Sequence, residues 1–149
     1  MIRTLQLALC LSLAVLASST LTAGEHGGSS PKLLTIITSD SNETQAMALI
    51  LTMHYTRGGG EARILLCDAA GEMAVADSEM GGTVVQPADR SPRQMLQGMI
   101  NAGVTVEVCA IFLPGQGLEQ SALVDGVGVA QPPRIAELMA SPDWRLFTF

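Results

Sequence analysis

Apolar residues fall along this chain in short unbroken runs that alternate with longer stretches of helical spacing, and that alternation predicts a layered α/β fold. Lys32 to Thr38 reads Lys-Leu-Leu-Thr-Ile-Ile-Thr, β-branched and apolar, and is the first predicted strand. Ser39 to Asn42 is a polar turn that offers N-cap groups, and Glu43 opens a helix that runs to about Thr56. That helix is apolar nearly all round, through Ala46, Met47, Ala48, Leu49, Ile50, Leu51 and Met53, so it is expected to be buried on more than one side. Gly58-Gly59-Gly60 stops it. Ala62 to Cys67 is a second continuous apolar run and a second strand.

Asp68 to Ala76 holds a helical turn, and Asp77 to Arg90 reads as a Gly-containing loop. Ser91-Pro92 is an N-cap followed by proline at the first helical position. Met95, Leu96, Met99 and Ile100 then recur at three-four spacing, which buries one face, before the helix closes on Gly103. Val104 to Phe112 is the third strand with its extension. Gly117 to Leu123 forms a short helix, Pro132-Pro133 opens another that ends near Ala140, and Trp144 to Phe149 is the last strand. The order β-α-β-(α)-α-β-α-β, with continuous apolar strands, argues for a parallel sheet covered on both faces.

Composition narrows the class. The 149 residues suffice for one domain with a real core. Only 15% of them are charged against 48% apolar, which excludes disorder and points to an apolar surface such as an oligomer interface. The net charge is −6 and Lys32 is the single lysine, so no basic patch exists to neutralise nucleic-acid phosphates or an anionic membrane.

The N-terminus reads as a targeting segment. Arg3 is a short positive region, Leu5 to Leu16 an apolar core, and small residues follow, with cleavage after Ser19 or Ala23. The apolar run is shorter than the roughly 20 residues needed to span a bilayer, so no stable span is expected after cleavage. The expected organisation is a signal peptide over 1–23, a flexible Gly/Ser linker over 24–31 that carries His26, and one domain over 32–149. Cys10 is discarded with the signal. An exported, periplasmic chain then keeps two thiols, Cys67 and Cys109, in an oxidising compartment.

Those thiols are the candidate chemistry. In a parallel sheet all carboxyl ends line one edge, the edge where such folds place their sites. Cys67 and Cys109 both end strands and so both face it. In the common order 2-1-3 the first strand lies between them, about two 4.8 Å spacings of separation, beyond the roughly 7 Å that a bridge tolerates. No intrachain disulfide is therefore expected, and Cys67 reads as a small buried core residue. Cys109 is the residue expected to react. The glycine-rich turn Pro114-Gly115-Gln116-Gly117 can bring backbone N–H groups, or a helix start at Gly117, toward its sulfur. Cys67, Gly115, Gln116 and Gly117 are candidate lining residues, as are Asp125 and Gly126 of the tight turn Val124-Asp125-Gly126-Val127. His54, inside an apolar helix, is expected to pack rather than to pair with a cysteine. No ligand spacing for a metal exists, nor any Gly-x-Gly-x-x-Gly, P-loop or Gly-x-Ser-x-Gly pattern, so no metal or cofactor is expected.

Gln94-Met95-Leu96, Asn101-Ala102-Gly103-Val104-Thr105-Val106-Glu107-Val108-Cys109, Leu123-Val124-Asp125-Gly126-Val127 and Leu146-Phe147-Thr148-Phe149 together resemble the DsrE/DsrF-like family, nearest its YchN-like subgroup, over residues 32–149. The resemblance implies a three-layer α/β/α domain, flavodoxin-like, with a mostly parallel five-stranded sheet. It also implies a homo-oligomer, trimeric or hexameric. In the sulfur-relay members the cysteine at the position of Cys109 carries a persulfide between a protein donor and a protein acceptor of sulfur. Two positions depart from the pattern: Gln116-Gly117 stands where members often carry Arg-Gly, and Phe112 where YchN-like proteins commonly have a second cysteine.

The expected function is therefore that of an exported sulfur carrier or thiol-exchange protein that uses Cys109, without a resolving thiol of its own. The alternatives are a non-catalytic oligomeric binding module with a structural cysteine, and a thiol-dependent peroxide or metal sensor.

Overall fold

The computed structural model describes residues 30–149. The predicted signal peptide, and the linker up to residue 29, lie outside the described residues. Five strands form one fully parallel sheet: β1 (Lys32–Ile37), β2 (Ala62–Leu66), β3 (Thr105–Val108), β4 (Val127–Val129) and β5 (Trp144–Thr148). Four helices accompany them, α1 (Asn42–Arg57), α2 (Pro92–Asn101), the short α3 (Phe112–Gln116) and α4 (Pro132–Ala140), with a 3-10 segment over Asp68–Ala74. The layered α/β class expected from the apolar runs is the one that forms. No helix among the described residues is long and apolar enough to cross a membrane.

The strand order is β4-β3-β2-β1-β5. The expected 2-1-3 order does not form. The chain adds β2, β3 and β4 successively on one side of β1, and only β5 returns to the other side. The reversal therefore lies between β1 and β5, and the two strands that end on cysteines are neighbours. β4 was not foreseen from its residues, because three positions, Val127-Gly128-Val129, carry too little pattern to distinguish a strand from a turn.

Local signals set the helix starts. The Ser41 hydroxyl accepts the Thr44 N–H at 3.4 Å and caps α1. At α2 the Ser91 hydroxyl accepts the Gln94 N–H at 3.2 Å while the Gln94 side-chain oxygen accepts the Ser91 N–H at 2.9 Å, a reciprocal capping box with Pro92 in the first turn.

Two apolar layers cover the sheet. On one face α1, α2 and the 68–74 segment bury Ile37, Leu49, Ile64, Leu66, Met73, Leu96, Val106 and Val108. On the other, α4 packs Ile135 and Leu138 against Leu34, Leu65 and Ala130. α1 is not enclosed as its composition suggested. Met47 is 50% and Leu51 40% exposed, because the sheet and α2 cover only part of its circumference. Where α1 meets β1 the buried hydroxyls of Thr35 and Thr52 lie 2.7 Å apart. Thr52 donates its proton to the Ala48 carbonyl at 2.7 Å, so Thr35 is the donor in the pair.

Candidate functional site

Leu66 and Val108 are register partners in β2 and β3, and each is followed by a cysteine. The ladder continues one step past the strands: the Cys67 N–H donates to the Ile37 carbonyl at 2.9 Å and the Cys109 N–H to the Leu66 carbonyl at 2.8 Å. Alternation turns both side chains to the face that carries Leu65 and α4, against which both pack. Their Cα atoms are 5.1 Å apart and their sulfurs are joined in a disulfide across 42 positions of sequence. This corrects two expectations. An intrachain bridge does form, and Cys67 is a half-buried partner of Cys109 rather than a sealed core residue. The physical reason is the strand order. Adjacent strands bring the two Cα atoms into the bridging range of about 4.4–6.8 Å, whereas an intervening β1 would have held them apart.

The chain turns sharply after each cysteine. Asp68 takes a left-handed backbone, φ 51°, a conformation aspartate adopts more readily than most residues, and redirects the chain from β2 into the 3-10 segment. After Cys109 the Phe112 N–H donates back to the Cys109 carbonyl at 2.9 Å. The expected strand extension to Phe112 is therefore replaced by α3. Gly117 closes that helix in a left-handed conformation, φ 67°, instead of opening one, and the short helix expected over 117–123 forms only as a 3-10 turn over Gln120–Ala122. The Gly115 and Gly117 N–H groups donate to the carbonyls of Ile111 and Pro114, at 3.0 and 3.2 Å, and so hold the turn together.

Two depressions flank the sulfur pair. One is lined by Cys67, Asp68, Cys109, Ile111, Phe112, Gly115 and Gln116. The other runs from Cys109 and Ala110 along α4 past Ala130, Ile135, Ala136 and Met139, and apart from the cysteine its walls are apolar or proline. Ile111 stands between them, 82% exposed. Cys109, half-buried, lines both depressions.

The fold thus brings Cys67, Gly115 and Gln116 around Cys109. Gly117 lies at the end of the same turn. Asp125 and Gly126 do not join them: their turn leads into the amino end of β4, at the opposite edge of a parallel sheet, where Gly126 abuts Ile100. His54 is also far from the pair in the fold, exposed in the last turn of α1, which runs back from the cysteine edge. Among the described residues no group of three or more His, Cys, Asp and Glu side chains is gathered to hold a metal. Spacing gave no sign of Asp68, Ile111 and Phe112. The one available signal was their position immediately after strand-ending cysteines.

Arg93 is a further organiser of this region. Its guanidinium and Nε donate to three backbone carbonyls, those of Met73 at 3.2 Å, Val75 and Ser78, and so pin the chain that leaves the 3-10 segment onto α2. Gly71, in that segment, lies directly against the Phe112 ring. A Cβ placed there would come within 2.5 Å of it.

A parallel three-layer α/β domain with two cysteines at the carboxyl edge of its sheet defines the class. Its fold is YchN/DsrE-like. The chain is similar to the ychN protein from E. coli, with TM-score 0.64 and 20% identity over 80% of this chain and 99% of that one. It is also similar to MTH1491 from Methanobacterium thermoautotrophicum, a protein of unknown function, with TM-score 0.57 and 18% identity over 80% and 99% of the two chains. A third similar structure is BT1422 from Bacteroides thetaiotaomicron, likewise of unknown function, with TM-score 0.55 and 18% identity over 79% and 95%. No protein-family profile and no curated protein matches the chain.

Proposed function

We propose that this protein handles sulfur through Cys109, as a carrier or thiol-exchange protein whose resting oxidised form is the Cys67–Cys109 disulfide. The observation that carries the reading is the pair itself: two cysteines one step beyond register partners, at the carboxyl edge of the sheet, with Cys109 bordering an open depression on each side. A reduced Cys109 would attack the outer sulfur of a persulfide donor and hold it. The oxidised pair would accept the thiolate of a reductant. The apolar N-terminal segment supports an exported, periplasmic setting, where a disulfide persists until a specific reductant meets it. Exposed Met47, Leu51, Ile111, Met139, Leu146 and Phe147 support assembly into a homo-oligomer, trimeric or hexameric.

The test is consumption of sulfane sulfur by the pre-reduced full chain. Wild type is expected to take sulfur from a donor, and Cys109→Ser to take none. Wild-type uptake no greater than that of Cys109→Ser, with a Cys109 that resists alkylation until the protein is denatured, overturns the reading. A second reading, a purely structural cross-link, is favoured by the 42-position span of the bridge and predicts that outcome.

A further inference from the structure

The disulfide shows where the Cys67 sulfur reaches: Cys109 Sγ itself, across a Cα separation of 5.1 Å that lies well inside the normal range. Resting on the sulfur-accepting role of Cys109 proposed above, we infer that Cys67 is a catalytic resolving thiol that discharges a persulfide on Cys109 as hydrosulfide, so that the protein reduces sulfane sulfur instead of only relaying it.

In the reduced protein the Cys109 thiolate attacks the outer sulfur of a persulfide or polysulfide donor, and the donor's remaining sulfur departs with the electron pair. Cys109 then bears one sulfane sulfur. The Cys67 thiolate attacks Cys109 Sγ, the atom it is bonded to in the oxidised form. The Sγ–Sγ bond forms, the bond from Cys109 Sγ to the sulfane sulfur breaks, and that sulfur leaves as hydrosulfide with its electron pair and its proton. The sulfane sulfur gains two electrons and the two cysteine sulfurs together lose two. An external dithiol restores the pair and itself becomes a disulfide.

Two features favour discharge over storage. The sheet register holds Cys67 beside Cys109 permanently, so the resolving thiol acts at the high effective concentration of an intramolecular neighbour. The depression on the Asp68 side is open as well. Gly115, on the rim of that depression, carries no side chain and faces open space, so no bulky group there narrows its mouth.

The experiment uses the full chain, reduced, freed of reductant and mixed with one equivalent of inorganic tetrasulfide. Samples are blocked with an alkylating reagent at intervals for intact and peptide mass spectrometry. Hydrosulfide is measured in parallel, with Cys109→Ser as the background. Wild type is expected to form the Cys67–Cys109 disulfide and to release one hydrosulfide per chain. Cys67→Ser is expected to keep the added sulfur on Cys109 about tenfold longer or more. Cys67→Ala serves if Cys67→Ser does not fold, and the joint rise of disulfide and hydrosulfide in wild type stands without either variant. Wild type that retains the sulfur on Cys109 as long as the Cys67 variants overturns discharge while leaving Cys109 as a carrier. Failure of wild type and both Cys67 variants to take up any sulfur overturns the carrier reading, and this inference with it.

Discussion

Leu66 stands opposite Val108 in the parallel register of β2 and β3, and the residue that follows each is a cysteine. That pairing makes a covalent tie between two strands whose connection includes the 3-10 segment, a long loop and α2. In the chain-entropy picture, closing a loop of 42 positions constrains the unfolded chain by roughly 4 kcal/mol at most. Reduction of the bridge is expected to lower unfolding free energy by about 2–4 kcal/mol. Denaturant titration with and without reductant measures it. Coincident curves would show that the bridge contributes no constraint.

Arg93 concentrates three hydrogen bonds on the carbonyls of Met73, Val75 and Ser78. Arg93→Ala leaves these acceptors without their cationic donor, and a loss of about 2–4 kcal/mol is expected, since bonds to charged groups are each stronger than neutral ones. Arg93→Lys is expected to recover less than half of it, because an ammonium cannot reproduce the planar fork. Equilibrium unfolding of the two variants decides the matter, and equal stability of wild type and Arg93→Ala would refute the pinning role.

Gly71 couples the segment after Cys67 to the helix after Cys109. A Cβ at position 71 would lie 2.5 Å from the Phe112 ring, so alanine there must displace the ring, with an overpacking cost of about 1–3 kcal/mol. Phe112 also lines the depression beside the sulfurs, so Gly71→Ala is expected to change the rate at which the disulfide is reduced by a small dithiol. Reduction kinetics and thermal unfolding, measured together, test this. An alanine variant with wild-type values in both would show that the ring has room to move.

The buried Thr35–Thr52 pair gives a double-mutant cycle. Thr52→Val removes the acceptor of Thr35 and leaves that hydroxyl buried and unpaired, at a cost of about 1–3 kcal/mol. Adding Thr35→Val to that variant removes the orphaned group, so the double variant is expected to be more stable than Thr52→Val alone. Additive losses in the cycle would exclude the coupling.

Much of this fold is legible in the residues. The Ser91-Pro92 start of α2, the run Lys-Leu-Leu-Thr-Ile-Ile of β1 and the Pro132 start of α4 each carry their signal within a few positions, because capping, proline geometry and apolar runs act locally. The site was half legible. Cys109 and the Gly115-Gln116 turn are neighbours in sequence and remain so in space. Cys67 and Asp68 come from another strand, and Asp125-Gly126, close in sequence to the candidate turn, lies at the opposite edge.

Local residue patterns are enough to place β1, β2, β3 and β5, the starts of α1 and α2, and two cysteines at strand ends. That these two cysteines meet is settled by long-range packing. Whether a later strand adds beside β1 or beside β2 depends on how whole apolar faces of helices pack over the sheet, a sum over many distant contacts that leaves no mark at the cysteines themselves. With β2 and β3 adjacent, two isolated thiols become one bonded pair.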